Sequence, residues 1–221
     1  AERFPVGQKM EYEDGRIFRF ALVGGADLVI GNVVQGTDTT AENNLTPVAA
    51  AVGDSVIDVT MGNIAAIDYF KGGYIYVEVT PALGDCYKIG AHAAFAASSG
   101  QEVPLADGET VRTTITSTTR LSMVRNPWAG VILLTTTALS MPVGVAVSIG
   151  ATTEWCWVQT RGPCAVLVAS ALGEAVSVCA KDDTAGSADV SGAFTEAPIG
   201  IAMQTGPGSE PSCSLVYLTI D

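Results

Sequence analysis

Trp155-Cys156-Trp157-Val158-Gln159-Thr160-Arg161-Gly162-Pro163-Cys164-Ala165-Val166-Leu167-Val168 is the stretch whose reading decides the fold. Trp155, Trp157 and Gln159 share one parity and Cys156, Val158 and Thr160 the other, which is the two-residue period of a strand. Arg161-Gly162-Pro163 interrupts the run, and alternation resumes from Cys164 to Val168. The expected unit is a β-hairpin or a tight strand–turn–strand. Gly162 would supply a permissive backbone, and Pro163 would open the return strand, where its missing N–H is tolerated. The stretch holds two of the three tryptophans and two of the five cysteines. It reads as the best-packed piece of a β domain and not as a reaction centre.

Outward from this stretch the same period recurs. Residues 16–22 form a first strand after the turn signal Glu13-Asp14-Gly15-Arg16. Residues 56–61, 74–79, 175–179, 197–203 and 213–220 read as further strands, and 110–123 as one or two half-exposed ones rich in threonine. Residues 36–46 and 181–192 read as polar loops, 206–211 as a pronounced turn, and 91–109 as ambiguous. Residues 1–12 are either a frayed terminus or an arm reaching a neighbouring subunit. A form aliphatic–Gly–x–small–β-former recurs at Val52, Leu83, Val143 and Leu172, twice in each half; the spacing is too irregular for a solenoid. No long amphipathic helix is legible. The expected fold is therefore mainly β, an antiparallel β-barrel or β-sandwich with an N-terminal arm. The division drawn is 1–20 for the arm and first strand, 21–125 for a first β module and 126–221 for a second. Two related modules and one continuous β domain both fit that pattern.

Composition narrows the function. Of 221 residues 48% are apolar and only 15% charged, against about 25% in an ordinary domain. A chain so poor in charge leaves apolar surface for other protein chains. Its net charge of −12, from 23 acidic and 11 basic side chains, argues against nucleic acid and anionic membranes as partners. Neither an export signal nor a run of ~20 apolar residues for a membrane helix is legible. Five cysteines at irregular spacing read as small hydrophobes in a protein assembled in a reducing cytoplasm.

Catalytic chemistry finds little to stand on. His92, the only histidine, lies in an alanine-rich stretch and reads as a hydrogen-bonded structural residue rather than a general base. The cysteines lack zinc spacing. Asp182, Asp183 and Asp189 miss the EF-hand pattern and read as a solvated acidic loop. Glu154 beside Trp155 is the one carboxylate placed to suit sugar stacking, and the Trp155/Trp157 pair could be a carbohydrate platform, a core anchor or a subunit interface. No enzyme, metal or cofactor is expected.

Three stretches carry a resemblance: Phe70-Lys71-Gly72-Gly73-Tyr74-Ile75-Tyr76-Val77, Cys86-Tyr87-Lys88-Ile89-Gly90-Ala91-His92 and Trp157-Val158-Gln159-Thr160-Arg161-Gly162-Pro163. Together with 197–202 and 215–220, they resemble virion structural proteins of tailed bacteriophages of the head decoration, or cement, type. Residues 1–60 lie outside it. The resemblance implies a β-rich protein, a homotrimer, that binds the outer surface of the phage head between major capsid subunits and stabilises the shell, after assembly in the host cytoplasm. Phe4, Arg16, Phe18, Trp128, Trp155, Trp157 and Arg161 are the interface candidates, being aromatics and arginines of the kind enriched at hot spots. The competing expectations are another virion role, or a carbohydrate-binding module or glycan-active tail spike.

Overall fold

The computed structural model describes residues 2–37, 42–135, 140–180, 184–192, 196–206 and 212–221. Its named elements are all strands: the protein is mainly β. The strands are β1 (Lys9–Glu11), β2 (Ile17–Val23), β3 (Val33–Gln35), β4 (Val56–Thr60), β5 (Tyr74–Val77), β6 (Cys86–Lys88), β7 (Gly100–Pro104) and β8 (Leu121–Val124). They continue with β9 (Ala129–Leu133), β10 (Pro142–Ala146), β11 (Trp155–Val168), β12 (Ser177–Ala180), β13 (Ala188–Val190), β14 (Pro198–Ala202) and β15 (Ser212–Thr219).

The tryptophan stretch is one strand, not a hairpin. β11 runs unbroken through 14 residues; Arg161-Gly162-Pro163 lies inside it, directly after a bulge at Thr160. The register against β2 slips between Gln159 and Arg161, and Gly162 adopts a φ of 84° that glycine reaches without steric cost. Arg161 is where the strand changes partner, pairing with Ile17 of β2 and with Thr219 of β15. The Gln159 side chain, buried beside the bulge, donates from Nε2 to the carbonyls of Arg161 and Pro163 at 3.0 and 2.9 Å. Two backbone acceptors beside the bulge thereby gain a donor, which helps the strand to carry an irregularity. Parity reads as hairpin or bulge equally well; the difference lies in partner strands far away in sequence.

Around β11 the sheet closes twice. β2, β9, β3, β10 and β11 form a closed five-stranded barrel, with β11 returning to β2. The second half of β11 joins β13, β12, β14 and β15 in another ring, closed between β11 and β13 by a single parallel pair, Val168 with Ala188. Each ring has its own core. Ala21, Val23, Val34, Val131, Val143 and Val158 fill the first, and Val33, Val145, Val166, Val178, Val216 and Leu218 the second. β3 and β10 sit between the two: Val34 and Val143 enter one core, Val33 and Val145 the other. Every residue of these two strands is buried, so their sequences lack polar alternation, as expected for strands covered on both faces. Gly144 fits because a Cβ there would stand 3.0 Å from the Gln159 carbonyl and 3.1 Å from the Val158 side chain.

The chain divides into two units, Ala1–Asp38 with Pro127–Asp221, and Thr39–Asn126. Residues 21–37 thus belong with the C-terminal part, and the division drawn at 125/126 falls at the end of the second unit. That second unit has a two-stranded sheet, β4 with β7, and a three-stranded one, β6-β5-β8, around a core of Ile57, Phe70, Ile75, Tyr87, Val103 and Met123. In sequence it occupies the connection between β3 and β9, which are antiparallel neighbours: it takes the place of a hairpin loop. Its ends converge through the Leu45–Leu121 bridge. On the first unit, Gly36 abuts the Pro127 carbonyl, and Thr37 Oγ1 donates to Gly130 O at 2.7 Å.

Two expectations need correction. The threonine-rich stretch 110–123 forms a strand only at its end, in β8, because its hydroxyls satisfy the backbone locally: Thr119 Oγ1 accepts from the Thr116 N–H, and Thr116 and Thr118 bond each other. The stretch 181–192, read as a polar loop, contains β13.

Gly162→Ala should cost roughly 1–2 kcal/mol, since alanine resists a left-handed φ. A lower urea midpoint at unchanged slope would report it. Replacing residues 39–126 by a short Gly/Ser linker should leave a cooperatively folding β protein; a product without a sigmoidal thermal transition would contradict the hairpin-insertion reading.

Candidate functional site

The interface candidates gather mainly along the β2–β11 seam. Register sets Trp157 opposite Phe20 and Trp155 opposite Leu22, so the rings share one face. Phe20 lies flat against Trp155, with centroids 5.1 Å apart and planes 3° from parallel, and tilts against Trp157 at 5.2 Å. Phe4 comes down edge-on to Phe20 at 5.4 Å and meets Trp157 at 5.6 Å. The segment that brings it is held by backbone bonds: Gly7 N–H donates to Phe20 O, and Phe20 N–H to Gln8 O. β1 then pairs with β2, so residues 2–12 are docked on their own barrel unit. With Arg3, Thr153 and Glu154 the rings line a shallow depression of about 540 Å³. One Glu154 oxygen accepts the Ala151 N–H at 3.2 Å. The indole rings are committed largely to Phe20 and Phe4, which is the arrangement of a clasp.

Phe18 is buried and rests on Tyr12 at 5.1 Å. Arg16 covers both rings, its guanidinium 5.2 Å from the centroid of Tyr12 and 5.9 Å from that of Phe18, while Nε bonds Asp14 at 2.8 Å. Arg161, beside the bulge, is exposed. The Lys9 ammonium, and more weakly the Arg161 guanidinium, hold the Glu11 carboxyl below its usual range.

Trp128 belongs to a separate group. Its Nε1 donates to Val143 O at 3.3 Å, and the Arg19 guanidinium lies 5.0 Å from its ring. Arg19 grips Asp221 with two bonds, Nε to Oδ2 at 2.7 Å and Nη2 to Oδ1 at 2.8 Å, and gives a third to Gly7 O. Thr160 Oγ1 adds a bond to Asp221 Oδ2 at 3.2 Å. The guanidinium holds the Asp221 carboxyl below its ordinary value, and Asp221 in turn raises Arg19. Residues 202 apart in sequence are thus tied within the barrel unit, β2 of one ring to the residues after β15 of the other.

Sequence reasoning missed Phe20, Arg19 and Asp221. Phe20 was findable, since it shares parity with Phe18 in a strand already recognised. Nothing in the sequence marks Asp221 as the partner of Arg19.

His92 is engaged at both ring nitrogens. The Phe70 N–H donates to Nε2 at 2.9 Å, so the proton sits on Nδ1, which donates to Ala93 O at 2.7 Å. The ring stacks on Phe95 at 4.1 Å. Asp182 and Asp183 lie outside the described residues; Asp189 accepts from Ser170 Oγ and its neighbour's N–H. All five cysteines are free thiols. Cys156, Cys164 and Cys179 are buried as expected, and burial pushes them up to about 11, 12 and 12, whereas Cys86 and Cys213 are exposed. No family model, curated protein or solved structure matches this chain.

The Arg19–Asp221 pair predicts a specific pH dependence. A carboxyl depressed in the folded state contributes stability above its unfolded pKa of about 3.9 and loses it as pH falls through the folded value. Asp221→Asn should therefore be less stable than the wild type at pH 7, with the gap narrowing below about pH 4. Thermal melts across that range test it; a gap constant with pH would remove the ion pair from the account.

Proposed function

We propose that this chain is a structural protein of a tailed-bacteriophage virion, of the head decoration type, which binds major capsid subunits and stabilises the shell from outside. The observation that carries the reading is the quantity of aliphatic side chain left in water on both units. Ile64, 80% exposed, Ile67, Val52 and Leu83 stand out on the inserted unit; Ile149, 73% exposed, Met141 and Val29 do so on the barrel unit. Apolar side chains exposed on two separately cored units of a weakly charged chain support contacts with several neighbours, as bridging between capsid subunits requires. The stretches that carry the resemblance supply β5 and β6 of the inserted unit and part of β11, β14 and β15 of the barrel unit. Many copies binding only the assembled lattice would stabilise it by mass action against the pressure of the packaged genome.

The carbohydrate reading draws on the aromatic depression beside Glu154. It is weakened by the rings themselves: a stacking platform needs an open aromatic face, and Phe20 already lies parallel to Trp155 while Phe4 and Phe20 both contact Trp157.

Quantitative mass spectrometry of purified particles of the phage encoding this chain tests the proposal, with a density map of the particle. The expected result is hundreds of copies per particle on the head surface. Absence from particles, or a few copies on the tail, would overturn it.

A further inference from the structure

The two-stranded sheet of β4 and β7 is covered on one outer edge and open on the other. Bonds from the Leu105 N–H to Ser55 O and from the Met61 N–H to Ser99 O fix the phase of its ladder. By alternation Ile57, Val59, Gln101 and Val103 bond across the sheet, while Asp58, Thr60, Gly100, Glu102 and Pro104 aim their backbone polar groups outward. On the β4 side these groups are taken: Asp58 O accepts the Val48 N–H, and the Thr60 N–H donates to Thr46 O. On the β7 side Pro104 O accepts the Gly90 N–H, and Gly100 O accepts from Nε2 of its neighbour Gln101. Glu102, exposed between them, has a backbone N–H and C=O with no partner among the described residues. Strand β6, an edge of the three-stranded sheet, is treated differently. The Glu109 carboxylate covers its outward Lys88 N–H and the Arg112 guanidinium its Cys86 C=O, both at 2.8 Å, so charged side chains blunt that edge.

The opening at Glu102 has a cause in the neighbouring segment. Residues 89–95 start beside β7, at the Ile89–Leu105 bridge, and then turn away from it. The His92 N–H and C=O bond Asp68, and Phe95 exchanges both its backbone bonds with Ala65. Where the two stretches part, a depression of about 720 Å³ remains, lined by Ile67, His92 and Phe95 on one side and by Gly100, Gln101 and Glu102 of β7 on the other. The charge beside it is one-sided. Asp58 and Glu102 are directly opposed in a pair without mutual backbone bonds, so their carboxylates rise from one face at the closest cross-strand spacing. Like charges so placed repel, and neither carboxylate takes part in an ion pair among the described residues. All these residues belong to the inserted unit.

We infer that β7 takes an extended peptide of another protein as an added strand, one that alternates basic and apolar residues. The backbone of such a peptide would bond the free N–H and C=O of Glu102, which is how strand addition gains affinity without regard to sequence. Its side chains supply the selection. A lysine or arginine on the Asp58/Glu102 face relieves the repulsion between two carboxylates that this chain leaves unpaired, and the alternate residues fall on the side of Ile67 and Phe95, where the lining is apolar. An acidic peptide would meet the same two carboxylates as a like charge. The inference stands apart from the virion reading, since the edge selects a peptide chemistry and not a source.

Fluorescence anisotropy of a labelled peptide of alternating lysine and valine, titrated with the purified full chain, tests it. The wild type should bind saturably, and Glu102→Pro should weaken binding about tenfold or more. Proline there deletes an N–H that the β4 ladder does not use, so the sheet itself is kept. Glu102→Gln keeps that N–H and should weaken binding several-fold, with the difference shrinking as salt rises. No saturable binding by the wild type, equal affinity for a glutamate–valine peptide, or an affinity unchanged in Glu102→Pro overturns the inference. Hydrogen exchange on the wild type needs no variant to fold. The Glu102 amide should exchange freely in the protein alone and slow about tenfold or more with the lysine–valine peptide. An amide whose exchange the peptide leaves unchanged overturns the inference. So does one already protected without peptide, the edge then being filled by this chain or a second copy.

Discussion

The fold depends on one strand serving two barrels. β11 closes the first ring against β2 and then helps to build the second against β15, and the change of partner is made at a bulge beside which two carbonyls are bonded by the strand's own Gln159. Without Gly162 the strand would have to choose between a strained backbone and an interrupted ladder. Without Gln159 two acceptors beside the bulge would lose a donor. One polar side chain and one glycine thus set the relation between two hydrophobic cores, because no other described strand runs through both rings.

The same economy shows in β3 and β10. Successive valines of each point into different cores, so a single layer of backbone separates them. A shared wall of this kind needs residues that are apolar on both faces and small enough for close approach, which accounts for Val33-Val34 and for Val143-Gly144-Val145. It also makes the two rings mechanically one body: a change of volume at Val145 would be felt by the strand that lines the neighbouring core.

Strand content was legible in the sequence because alternation is a local signal. β2, β4, β5, β14 and β15 lie close to where period and turn residues place them. What was not legible is long-range. Arg161-Gly162-Pro163 carries the letters of a turn, and only the presence of Ile17 and Thr219 as partners keeps it in a strand, beside a bulge at Thr160. The threonine run failed for a different reason: β propensity assumes that the backbone seeks a ladder, and hydroxyls offered it a nearer alternative. At the candidate site, Trp157 meets Phe4, and both tryptophans meet Phe20. But parity alone cannot tell a ring that waits for a ligand from one already occupied by Phe20.

The position of the inserted unit bears on the order of events during synthesis. β1, β2 and β3 emerge first, yet beyond the β1–β2 hairpin and residues beside it their partners are β9, β10 and β11, so the Thr160–Ile17 contact must wait across 143 residues. The unit between them has its own core and can fold as soon as it leaves the ribosome. Once it has, the Leu45–Leu121 bridge ties its two ends, and the loop that β2 must close is much shorter than the count of residues implies. The insertion therefore acts as a folded spacer, lowering the entropic cost of the longest-range strand pairing among the described residues, β2 with β11.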